Sequence, residues 1–158
     1  MARKTTAQLK TGRDFGDLLD SIHNNSDVQR ITATGAFTVS RDTSFVALAA
    51  DGGKTVTMPA AIKGRKLRFF WEVEQATNDL VATCQGSDVF AGNIFTSVEG
   101  NGAGDGDVVA IANTTVAITF VDDVNIGSYV DFQCAADGTW LVSGHLVVDA
   151  VGSVPTLA

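Results

Sequence analysis

The chain has 158 residues, 45% of them hydrophobic and 18% charged, with a formal net charge of −7. This balance excludes a disordered chain and predicts one globular domain with a small appendage, large enough to bury a real core. An acidic body repels phosphate, and no run approaches the roughly 20 apolar residues of a membrane span, so neither nucleic acid nor membrane is an expected partner.

Residues 1–13 carry Arg3, Lys4, Lys10 and Arg13 and no acid. Four charges without interleaved aromatics make a poor nucleic-acid site; such an arm lies along an acidic protein surface or stays solvated. No apolar segment follows it, so no signal peptide is expected. Residues 11–25, TGRDFGDLLDSIHNN, form the one expected helix, with Phe15, Leu18, Leu19 and Ile22 at i, i+3, i+4 and i+7. Thr11 and Asp14 suit its N-cap, and Asn24 and Asn25 its end. A helix this short needs a surface for its stripe, either the β body or a neighbouring subunit.

After Val28 the pattern changes to strands and turns. ITATGAFTVS alternates around a glycine. SFVALAADGGKTVTMP gives two strands flanking Asp51-Gly52-Gly53, a hairpin-turn signal, and Pro59 ends the second. TVTMPAAIKGRKLRFFWEV then reads as another apolar hairpin, whose second strand, residues 65–74, is expected to bury much of both faces. Further strands are expected at residues 79–84, 88–90, 108–112, 115–121, 128–134 and 140–148. They are separated by the glycine-rich loop EGNGAGDGD, by Asn113-Thr114, by residues 122–127 and by Asp137-Gly138-Thr139. Short strands with turns every 8–12 residues and no intervening helices predict an all-β, antiparallel β-sandwich or barrel-like body. The organisation is an arm and helix at 1–27, the β domain at 28–150 and a small apolar tail at 151–158 that orders against a neighbour.

Charge follows the same division. All eleven Lys and Arg lie at or before Arg68, where six Asp leave a sum of +5; the other 90 residues carry twelve acids and sum to −12. Such asymmetry speaks of partners.

No catalytic constellation emerges. His23 ends the helix, and His145 sits in a strand near Ser143 without a G-x-S-x-G elbow. Asp105, Asp107, Asp122 and Asp123 lie in turns but do not complete a calcium loop, and the glycine-rich loop lacks the lysine and helix of a phosphate site. Cys84 and Cys134 match no zinc or redox spacing and read as buried thiols. Trp71 and Trp140 are core anchors, or a carbohydrate platform if exposed. No cofactor and no metal are expected.

The order of these signals resembles β-rich structural proteins of tailed bacteriophages. The likeness is carried by FGDLLDSIHN, by TVTMPAAIKGRKLRFFWEV with its Met-Pro stop, by SDVFAGN, and by GSYVDFQCAADGTWLVSG with its D-G-T-x-W ending, over roughly residues 12–146. The resemblance implies a non-enzymatic virion component, made in the host cytoplasm and often trimeric. A chain of this length, without a fibrous shaft, fits a capsid decoration or cement protein on the outer head surface, with the major capsid protein as partner. Arg3, Lys4, Lys10 and Arg13 would dock on the shell, and Phe15, Leu18 and Ile22 would contact shell or subunit. The alternative is a tail-fibre or baseplate adaptor, or a carbohydrate-binding receptor module.

Overall fold

The computed structural model describes residues 28–99, 106–149 and 155–158. Those residues are all-β, with two mixed sheets and no helix among them. The expected helix at 11–25 lies outside the described residues.

The chain begins as a coil that alternates between the sheets. β1 (Val28–Ile31), β3 (Phe45–Leu48) and β5 (Lys66–Trp71) pair in parallel in one sheet, while β2 (Gly35–Thr38), β4 (Lys54–Thr57) and β6 (Leu80–Thr83) pair in parallel in the other. The rest of the chain completes both. β7 (Val89–Val98), β8 (Gly106–Thr115), β10 (Tyr129–Ala136) and β11 (Thr139–Val148) extend the first to seven strands, ordered β1-β3-β5-β10-β11-β7-β8. β9 (Ala117–Phe120) and β12 (Thr156–Leu157) make the second a five-stranded sheet, β12-β9-β6-β4-β2.

The expectation of an antiparallel body is therefore corrected: five of the ten strand pairings are parallel. Parallel neighbours need a crossover, and in the four parallel pairs among β1–β6 the crossover is a strand of the opposite sheet rather than a helix; β7 reaches β11 by way of β8, β9 and β10. For the same reason neither expected hairpin forms. Asp51-Gly52-Gly53 carries the chain from β3 into the other sheet, as does the β4–β5 connection through Pro59. Asp51 ties that corner to the next, accepting hydrogen bonds from the Ala76 and Thr77 amides at 3.0 and 3.3 Å. The Asp137-Gly138 turn does close a hairpin, between β10 and β11. Asn113 and Thr114, expected as a separator, lie within β8. The C-terminal tail, expected to order on a neighbour, pairs with β9 of its own chain.

The inward faces of both sheets make one core. On β5 the pattern is strict alternation, with Leu67, Phe69 and Trp71 buried and Lys66 and Arg68 exposed, so the expected burial of both faces does not occur. Trp71 meets Phe120 of the other sheet edge-on at 5.3 Å, and Phe132 gathers Phe69, Phe90 and Trp140 at 4.9, 5.8 and 6.4 Å. Each such fully buried ring stabilises the fold by roughly 1.5–3 kcal/mol.

Candidate functional site

Arg3, Lys4, Lys10, Arg13, Phe15, Leu18 and Ile22 lie outside the described residues. What is described is where their segment joins the body. Val28 opens β1 opposite Phe45, and Phe45 stands opposite Arg68. β1 therefore opens at the end of the sandwich where β5 begins.

The basic crossover occupies that same end. Arg41 precedes β3, Lys63 and Arg65 precede β5, and Lys66 and Arg68 lie in its first half. Asp42, Asp88, Asp131 and Asp137 share this end, held close by bonds such as Ala61 N to Asp88 and Lys63 N to Asp137, both 2.7 Å. Five cations against four carboxylates leave +1.

The opposite end is acidic. Glu72, Glu74, Glu99 and Asp149 follow strands that finish there, and Asp51, Asp79, Asp107, Asp122 and Asp123 stand in or beside its turns. Arg30 and Lys54 are the cations at this end among the described residues, so it sums to −7. Asn125 stabilises the crowding, its Nδ2 donating to Glu99 Oε2 and Asp149 Oδ1, both at 2.6 Å. Arg30 pairs with Glu72 at 2.6 Å. Lys54 is only 2% exposed, and its Nζ donates to the Gly52 carbonyl at 2.7 Å. Burial pulls its pKa below the usual lysine range, with Asp51 opposing.

Pairing register lays out the outer face of the seven-stranded sheet in rows. One runs Ala47, Phe70, Tyr129, His145, Phe95 and Val108. Phe95 and Val108, at the β7–β8 end of this row, are 44% and 59% exposed, while Ala47 at its other end is buried. Nearer the basic end, the next row runs Phe45, Arg68, Asp131, Ser143 and Asn93, followed by Lys66, Gln133 and Leu141. Arg68 binds Asp131 through both fork positions, Nε to Oδ1 at 2.6 Å and Nη2 to Oδ2 at 2.7 Å, and lies 4.8 Å from the Tyr129 ring centre. The Asp131 bond holds the Arg68 pKa above its usual value. These two rows border an open trough of about 660 Å³.

Trp71 and Trp140 are 1% and 0% exposed, so neither can be the carbohydrate platform that exposure would have allowed. Strand alternation turns both into the core, and their indole N–H groups have no partner there. His145 does meet a serine, but it is Ser97, at 2.8 Å from Nε2 across the parallel β11–β7 pair. Their separation of 48 positions hides this contact from the sequence. Cys84 and Cys134 are free thiols, and burial pushes their pKa values up to about 12 and about 11. Among the described residues no group of three His, Cys, Asp or Glu side chains comes together to hold a metal.

No protein-family model matches the chain, and no curated protein and no solved structure matches it. Phe45, Asp131, Gln133 and Leu141 carry no signal of their own in the sequence, and Ser143 is notable there only for His145, because only the pairing register brings them beside Arg68.

Proposed function

We propose that the chain is a non-enzymatic virion structural protein, a capsid decoration or cement protein that binds the outside of a phage head as a homo-trimer. The observation that supports this most directly is the charge polarity of the described body. The end where β1, β3 and β5 begin sums to +1 while the far end sums to −7, and Val28 opens β1 at the former. A body polarised this way docks arm-first on an acidic lattice and turns its acidic end outward. Many equivalent contacts of this kind stabilise a shell through buried area and multivalency rather than chemistry.

Co-sedimentation with purified phage heads tests this reading. The full chain is expected to travel with the heads, and a chain lacking residues 1–25, with unchanged circular dichroism, to stay behind. Binding retained after the deletion overturns the role of the arm. Failure of the full chain to bind overturns decoration itself.

A further inference from the structure

We infer that the trough on the outer face of the seven-stranded sheet is a docking site for an acidic, partly apolar peptide segment. The inference rests on the decoration reading for the source of that peptide, but not for the chemistry of the site.

The trough has a volume of about 660 Å³, within the range of built ligand sites, and lies at the basic end of the sheet. Its ionisable lining is Lys66, Arg68 and Asp131, so it carries +1 on a chain of −7. The charges are not used up internally. Asp131 takes Nε and one Nη2 position of Arg68, and a guanidinium has five N–H donors, so the Nη1 pair remains for a further acceptor. Lys66 has no side-chain partner among the described residues and is exposed. Lys66 and Arg68 alternate on β5, which places both on the same outer face, where a carboxylate can meet them together.

The walls supply the second half of the chemistry. Phe45 stands across from Arg68, and Leu141, 44% exposed, stands across from Gln133. An apolar side chain of the incoming segment meets either wall while its acidic neighbour reaches the cations between them. Gln133 and Ser143 offer hydrogen bonds to its backbone. Arg is one of the side chains at which binding energy concentrates in interfaces.

The test uses the full chain and fluorescence anisotropy with a labelled peptide alternating Glu and Leu, set against its Gln-and-Leu counterpart. Binding is expected for the Glu peptide, weakened by about tenfold in Lys66→Glu and in Leu141→Asp, two exposed positions whose substitution leaves the core intact. Equal binding of the Gln peptide, or unchanged affinity in both variants, overturns the inference. So does an oligomer of a uronic acid that binds where the peptide does not, since the site would then be a glycan site. No heads are present in this assay, so the two readings fail separately. Heads captured without peptide binding overturn the trough alone; peptide binding without capture of heads overturns decoration alone.

Discussion

Gly92 offers a direct test of the parallel β11–β7 pairing, one of three parallel pairings in the seven-stranded sheet. It lies within β7 at φ +139°, paired with Val142 where β7 and β8 change register. A Cβ placed there would stand 2.9 Å from the Val142 nitrogen and closer still to the Val142 carbonyl oxygen. Both atoms are backbone, locked in the ladder, and cannot step aside as a flexible side chain would. In Gly92→Ala the unfavourable φ costs about 1–2 kcal/mol, and the overpacking adds about 1–3 kcal/mol. Together these remove about 2–5 kcal/mol from a stability of about 5–15 kcal/mol. At about 2–4 °C per kcal/mol for a chain of this size, thermal denaturation should shift down by roughly 5–20 °C. Gly86→Ala is the control, because Gly86 also has a positive φ, +63°, but nothing lies within 4 Å of its added Cβ. Calorimetry or circular dichroism reads both variants. A Gly92→Ala loss no larger than that of Gly86→Ala would refute the close approach of β7 to β11.

Lys54→Met keeps the aliphatic stem in the core and removes the buried ammonium, so it should raise stability by about 1 kcal/mol in denaturant unfolding. The sign with pH follows from the lowered Lys54 pKa: the unfolded lysine holds its proton up to its ordinary value of 10.5, the folded one releases it earlier, and stability from this group rises with pH between them. That rise should be absent in Lys54→Met. The thiols act in the opposite direction. With folded values of about 12 and about 11 against an ordinary 9.0, Cys84 and Cys134 ionise first when unfolded, so their contribution to stability falls as pH climbs past 9.0. Iodoacetamide should therefore label both thiols slowly in the folded protein at about pH 8, buried Cys134 more slowly than half-buried Cys84, and both readily in denaturant; rapid labelling of Cys134 in the folded chain would contradict its burial.

Much of the strand content is legible because alternation and turn residues are local signals. Leu67, Phe69 and Trp71 announce β5, and Asp137-Gly138 announces the hairpin that follows β10. What local signals cannot give is the plane of a turn. Asp51-Gly52-Gly53 says that the chain changes direction, and it does, but into the other sheet. The second half of β7 was hidden by Ala91-Gly92-Asn93, where glycine serves the close approach to β11 rather than a turn. Phe70 looked like core because it is aromatic, yet it faces outward, half-covered by Phe45 at 5.9 Å on the neighbouring strand. The candidate site was legible only as charge. Val28, Phe45 and Arg68 become neighbours through parallel rungs of unequal length, which leave no period in the sequence. Nothing local could have joined the opening of β1 to the basic crossover.

That joining gives salt two opposite effects on the proposed assembly. Docking through the arm and basic end brings unlike charges together, so raising ionic strength should weaken capture by heads. A trimer that points every basic end at the shell also sets three ends of −7 side by side. Their repulsion acts across the open space between copies and is screened beyond about 8 Å at physiological ionic strength. Raising salt should therefore strengthen the trimer while it loosens the dock. Sedimentation of the free chain and co-sedimentation with heads, run across one salt series, read the two effects separately. Trimer and dock weakening together would mean that copies meet through unlike charges, basic end against acidic end, and the outward orientation of the acidic end would have to be abandoned.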